Sequence, residues 1–391
     1  MAPPIVSAPT RRVRKSARTR STKPSVMILI AGTQRRGAEV FGERLAAGLA
    51  EKGWRTELVA IGATASREGP SVAAVALSNK SAAELGRLDW RTVRVLRRNL
   101  RQTPPDVLLA FGSSTLQYGL AATRAMRNRP AVAYASIGEP LYWATRRHQR
   151  AVYRVLLGMV DMVLAVSVRT SDQLSEGLGV RADRLRMVHT GVPSSLLEME
   201  RPGASSELRI VFVGSLSPEK DPMLALDAVA RLAAQVPVDF RIIGAGPLES
   251  RLREEIERSQ LGGVVDLLGS IDDVAPHLAW ADVLLLTSRT EGLPAVTLEA
   301  AAVGTAVVAF DVGGVAETMV DGVTGRLVKQ GDEHGLVDAM LFYANDPQAR
   351  RVAGEAGRRM VKERFTIEIA VQNFHATLLD LIRGFTRWWR R

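Results

Sequence analysis

Short apolar runs of strand character alternate with longer stretches of helical periodicity, and the alternation occurs twice along the chain. Parallel strands need crossover connections, usually helices, so this pattern predicts parallel sheets covered by helices. In the first half, strands are expected at 26–31, 57–61, 72–77, 107–111, 131–135, 162–166 and 185–188, with helices such as 38–52 and 90–101 between them. From 193 to 207 the periodicity lapses and Pro, Gly and Ser accumulate, which reads as a linker. Strands are then expected at 208–213, 240–243, 264–268, 283–286, 306–309 and 325–328. Helices follow from about Pro222, Pro247, Asp273, Pro294 and Glu333, and helical pattern closes the chain over 347–383. The fold class expected is therefore α/β, with two doubly wound Rossmann-like domains over 25–195 and 208–365 facing a central cleft. Open parallel sheets bind ligands beyond the carboxyl ends of their strands, so both halves can contribute to one site.

The 391 residues suffice for two cores. The chain has no cysteine, which excludes disulfides, thiolate metal sites and a cysteine nucleophile and accords with a reducing cytosol. Its five histidines show neither HxH nor HExxH spacing, so no metal site is expected. No apolar run approaches the roughly 20 residues of a membrane span. The formal charge of +11 suggests nucleic acid at first, but seven basic residues precede Ser25 and four fall in the last nine residues, with no acid in either stretch. The body is left near zero, so the basicity is assigned to the tails, and no specific nucleic-acid partner is expected.

The tail over 1–24, rich in Pro, Ser, Thr and Arg, reads as a disordered solubilising extension, with a transit peptide as the alternative. The other tail, 383–391, mixes arginines with Trp388 and Trp389. It reads either as a contact with an anionic membrane surface or as a frayed helix end packed on the body. The expected location is the cytoplasm, extending to peripheral contact at the inner membrane face.

Four loops of the second half follow predicted strands. The first runs Val213-Gly-Ser-Leu-Ser-Pro-Glu-Lys-Asp-Pro222, where a glycine turn (Gly214, Ser215), Lys220 and a helix N-terminus suit a phosphate. A surface lysine is the plainer reading, weakened because only seven of the 52 basic residues are lysine. The second carries Gly244 and Gly246, which allow a nucleotide to approach the backbone or simply make a tight turn; Glu249 breaks the full dinucleotide fingerprint. The third holds Glu291, Gly292, Leu293, Pro294 and Glu299. Pro294 suits the first turn of a helix, and Glu299 then falls in its second turn among apolar neighbours. A partly buried Glu299 needs a partner, and a ribose diol would serve. A helix-dipole contact for Glu291 and a structural ion pair for Glu299 are the alternatives. The fourth loop, Asp311-Val-Gly-Gly-Val-Ala-Glu317, reads as a glycine-rich turn with a structural Glu317.

Together these motifs resemble the retaining glycosyltransferases of family 4, which have the GT-B fold, over about 26–365. Glu291 and Glu299 match that family's pair of glutamates. The resemblance implies that Glu291 contacts the transferred sugar, that Glu299 holds the nucleotide ribose, and that the backbone at Gly292, Leu293 and Pro294 meets sugar and phosphates. It also implies Lys220 on the donor diphosphate, Gly37-Ala38-Glu39 as the glycine-rich loop beside it, and Thr190-Gly191-Val192 as the turn before the linker. A C-terminal helix from about Thr366 is expected to cross back onto the first domain. Two positions depart from the pattern: Ser215 stands where arginine is common, and 134–140 lacks the usual histidine, with His148 too far along to replace it.

The reaction implied is metal-independent transfer from a nucleotide diphosphate sugar to a hydroxyl of a glycan, lipid or small-molecule acceptor. The nucleotide sugar is a substrate, and no cofactor is expected. Lys220 and Glu291 are the catalytic candidates. The rival readings are a catalytically inactive nucleotide-sugar-binding protein, a dinucleotide oxidoreductase and a nucleic-acid binder resting on the tails alone.

Overall fold

The computed structural model describes residues 23–34, 36–63, 73–80, 88–203 and 205–389, excluding the side chains of 387–389. The tail over 1–24 therefore lies almost wholly outside the described residues, as does Arg35, which the resemblance offers beside Arg36 as a further charge for the donor diphosphate where Ser215 brings none.

In the first domain, β1 (Ser25–Ile30), α1 (Gly37–Glu51), β2 (Arg55–Ala60), β3 (Val75–Ala76), α2 (Trp90–Gln102), β4 (Val107–Phe111) and α3 (Ser113–Thr123) follow in order. Then come β5 (Ala131–Ser136), α4 (Pro140–Trp143), α5 (Arg147–Gly158), β6 (Met162–Ala165), α6 (Val168–Asp172) and β7 (Leu185–Met187). The strands form one parallel sheet in the order β3-β2-β1-β4-β5-β6-β7. Every residue of β1 is buried because helices cover both faces. Val26, Ile28 and Ile30 face α1, while Met27 and Leu29 face α2 and α3, as the period of two requires. The strand expected at 72–77 is reduced to β3, and residue 72 itself lies outside the described residues.

The second domain repeats the plan with β8 (Leu208–Val213), α7 (Pro222–Ala233), β9 (Val238–Ile243), α8 (Glu249–Arg258), β10 (Val265–Gly269), α9 (Ala275–Trp280) and β11 (Val283–Leu286). It ends with α10 (Ala295–Ala302), β12 (Ala306–Phe310), α11 (Val315–Thr318), β13 (Gly325–Val328), α12 (Glu333–Asn345) and α13 (Pro347–Arg364). Its parallel order is β10-β9-β8-β11-β12-β13. Strand β9 starts earlier than expected because Val238 is buried beside Leu208 while Asp239 points outward, an alternation that the acid obscures.

In both sheets the order reverses beside the first strand, between β1 and β4 and between β8 and β11. Such reversal points open a crevice at the carboxyl ends of the strands. Two chain segments join the domains and pair with each other: Val192 donates to Phe365 O at 2.9 Å and accepts from Ile367 N at 2.8 Å. From there α14 (Ile367–Trp389) leaves the second domain, and Val371, Phe374 and Leu378 pack into the α1 core of the first.

Candidate active site

The loops after β8 and β9 interlock. Leu216 N donates to Ala245 O at 3.0 Å, and Leu248 N donates to Leu216 O at 2.9 Å. A Cβ on Gly244, whose φ is +145°, would lie 1.8 Å from Gly214 O, and one on Gly246 would lie 2.5 Å from Leu216 O. Protein backbone fills the direction that each Cβ would take, so glycine is required here without reference to a ligand.

Lys220 stands one residue before the N-cap of α7. That N-cap, Asp221, is in the left-handed region at φ 48°, ψ 56°, a conformation costing about 1–2 kcal/mol for a residue with a Cβ. Neighbours from the loop after β11 hold it. Thr287 Oγ1 donates to Asp221 O at 2.8 Å and lies 3.1 Å from Lys220 O, and Arg289 Nε donates to Asp221 Oδ2 at 2.8 Å. The ammonium of Lys220 meets Glu291 Oε1 at 2.6 Å, and Ser288 Oγ donates to the same oxygen at 2.7 Å. The buried Glu291 thus has Lys220 as its partner rather than a helix dipole.

The peptide after Glu291 is enclosed on both sides. A Cβ on Gly292 would lie 2.0 Å from Ile137 O of the first domain. Gly313, at φ +53°, would place one 1.7 Å from Glu291 O, and Gly314 one 2.2 Å from Gly292 O. The fourth glycine-rich loop therefore backs the third. Leu293 and Pro294 are buried, and Pro294 is the N-cap of α10 rather than its first residue. Glu299, in the second turn, is partly buried and faces Arg44 Nη1 of α1 across the domain boundary at 3.4 Å.

On the first-domain side, Gly37 begins α1 with open space where a Cβ would go. Glu39 is buried, and burial pushes its carboxyl up to about 7 against the opposing pull of its own amide, the Arg36 guanidinium and the Gly32 amide. Ser215 brings no charge to the partly buried loop after β8. His148 is exposed on α5.

Two residues of the domain boundary carry no mark in the sequence. Glu139, in the histidine-free segment, is buried and accepts from Thr290 Oγ1 at 2.7 Å, Arg169 Nε at 2.9 Å and Gln173 Nε2 at 3.1 Å. Arg44 had no local pattern to mark it. Glu317, read only as structural, reaches the other domain, accepting from Val168 N at 2.9 Å and Arg169 N at 3.3 Å. Burial opposes its ionisation, but the His189 ring and those two amides together hold its carboxyl below the usual range. Among the described residues, no three His, Asp or Glu side chains gather as metal ligands.

A groove of about 950 Å³ lies at the opposite, amino ends of the β8 and β11 strands. There Arg201, Arg209 and Arg350 surround Asp282, and Arg358 donates to Met199 O and Val303 O, so these guanidiniums tie the linker to helix ends.

Sequence profiles of two glycosyltransferase families match adjoining stretches: Glycosyltransferase Family 4 over residues 35–196 and Glycosyl transferases group 1 over 198–360. Each half of the chain thus matches a glycosyltransferase family model. Among similar proteins, an uncharacterized glycosyltransferase of Methanocaldococcus jannaschii is 29% identical over 52% of this chain and 55% of its own. An N-acetyl-alpha-D-glucosaminyl L-malate synthase of Bacillus anthracis is 29% identical over 48% of this chain and 49% of its own. The chain spans about half the length of these curated relatives. The solved sucrose-phosphate synthase of Thermosynechococcus elongatus superimposes with a TM-score of 0.78 at 18% identity, covering 93% of this chain and all of that one. Anabaena HepE, in complex with UDP and glucose, gives 0.77 at 20% identity over 91% of this chain and all of its own. These likenesses establish the GT-B fold. No helix of the described residues is long and apolar enough to cross a membrane.

Proposed function

We propose that this chain transfers a sugar from a nucleotide diphosphate donor to an acceptor hydroxyl, with retention of configuration and without a metal. The observation that carries the proposal is the 2.6 Å approach of Lys220 to Glu291 in the reversal crevice between β8 and β11. In this reading the donor's diphosphate takes the Lys220 ammonium from Glu291, and the released carboxylate orients the sugar. Glu299 exchanges Arg44 for the ribose diol, and the backbone around Gly292 lies along the sugar and phosphates.

The bond between the anomeric carbon and the diphosphate breaks as the acceptor oxygen bonds to that carbon on the same face. The acceptor proton passes to the leaving phosphate. Charge grows on the diphosphate during this step, and Lys220 with the α7 N-terminus stabilises it. The complex of HepE with UDP supports a uridine-type donor as the first to try.

Screening nucleotide sugars by thermal shift identifies the donor, because a ligand bound only by the folded state raises its melting temperature. With that donor, Lys220→Ala is expected to lose turnover by about 100-fold or more. Glu299→Gln is expected to weaken donor binding about tenfold while sparing turnover at saturation. Near-normal kinetics in both variants would falsify the assignment.

A further inference from the structure

The near-zero charge of the body conceals a polarity. Residues 90–160 carry twelve arginines against two acids, Asp106 and Glu139. The tails account for the net charge of the chain, as the sequence reading held, but the folded body has a basic face of its own and is acidic elsewhere. The connections from β3 through β6 all step in one direction across the first sheet, so right-handed crossovers place α2, α3 and α5 on the same side. Helix α3 sits between the other two. Tyr118 and Ala122 pack with Val93 and Leu96 of α2, and Leu116 and Leu120 pack with Leu157 at the end of α5.

Of the twelve arginines, only Arg97 and Arg129 are withdrawn from solvent. Arg97 donates to Ala121 O and Ala122 O, and Arg129 pairs with Asp161. The other ten are exposed, and among the described residues none of them is in an ion pair. Large apolar side chains stand among them. On α5, Val152 and Val155 are 56% and 65% exposed, and Met159, the residue that caps its C-terminus, is 45% exposed; the three fall three and four residues apart, in one outward stripe. On α2, Trp90 and Val95 are exposed as well. Trp143, at the end of α4, is also exposed, with its ring nitrogen 3.9 Å from where a Gly138 Cβ would lie. Gly138 adjoins Gly292, so this face borders the mouth of the cleft.

We propose that the α2–α5 face of the first domain docks on an anionic lipid bilayer. Its arginines would meet the headgroup phosphates, and Val152, Val155, Met159 and Trp143 would enter the boundary with the acyl chains. A basic helix with an outward apolar stripe has the composition of an interfacial helix. A two-fold pairing with a second copy of this chain would oppose arginines to arginines. A nucleic-acid duplex would neutralise the arginines but leave the aliphatic stripe in water. A bilayer satisfies both.

The test is co-sedimentation of the full chain with vesicles of phosphatidylcholine containing phosphatidylglycerol, against vesicles of phosphatidylcholine alone. Binding to the first and not the second is expected. R94E/R98E on α2 and V152D/V155D on α5 should each weaken that binding by about tenfold or more while keeping the melting temperature of the unaltered chain. The proposal is overturned if either pair of changes leaves binding intact, or if only removal of residues 383–391 abolishes it. Equal binding to both vesicle types, or binding to duplex DNA with none to vesicles, overturns it too. None of these readings involves Lys220, Glu291 or Glu299, so the outcome is separable from that of the sugar-transfer proposal.

Discussion

Glu39 shows how much a single placement changes. Its carboxyl titrates at about 7 in the fold, raised from 4.5 by burial. Below the unfolded value, both states carry the proton. As pH rises towards 7 the unfolded chain releases it first, so stability falls through that window by up to about 3 kcal/mol. Glu39→Gln should remove this decline: the variant gains on the unaltered chain between about pH 5 and pH 8 in thermal melts. Parallel pH profiles for the two proteins would refute the shift. Residue by residue, the site was unevenly legible. Lys220, Glu291 and Glu299 could be picked out because each follows a strand in a loop or early helical turn. Glu139 and Arg44 could not, since their partners Thr290 and Glu299 lie more than 150 positions away and no local spacing records a contact across domains.

Elements were more legible than contacts. The buried strands announce themselves as apolar runs because both faces of each sheet are covered, and the predicted spans at 107–111, 208–213 and 283–286 coincide with β4, β8 and β11. Which surface a helix packs on is a different matter. The periodicity of α14 marks it as amphipathic, but its seat on α1 depends on Gly48, which lets Val371 approach. A Cβ there would lie 2.5 Å from a Val371 methyl. Two effects oppose each other in Gly48→Ala. Helix propensity favours alanine by about 1 kcal/mol, while overpacking costs about 1–3 kcal/mol. The single change is therefore expected to destabilise by about 1 kcal/mol. In a Val371→Ala background, where the methyl is gone, the same change should be neutral or stabilising. A double-mutant cycle by denaturant unfolding measures this coupling, and an additive result would show that α14 does not rest on Gly48.

Across the whole molecule, the two domains meet through polar contacts that no single half could specify. Arg44 faces Glu299, Thr290 donates to Glu139, and the amides of Val168 and Arg169 donate to Glu317. Polar interfaces of this kind ordinarily permit relative domain motion, so each contact weighs on the balance between closed and open forms. Glu317 weighs most simply, because it is clear of the groups assigned to the donor. Its carboxyl is held below the ordinary value, so its contribution is present above that value and disappears as pH falls through the lower folded one. Replacing it with alanine removes a carboxylate from two amides, a loss of about 2 kcal/mol borne by the closed form. The expected result for Glu317→Ala is a larger radius of gyration in small-angle X-ray scattering. The same variant should show a raised KM for the donor, because part of the binding energy must now draw the domains together, while kcat changes little. A scattering curve identical to that of the unaltered chain would mean that the remaining contacts, chiefly Arg44 with Glu299 and Thr290 with Glu139, hold the domains closed without it.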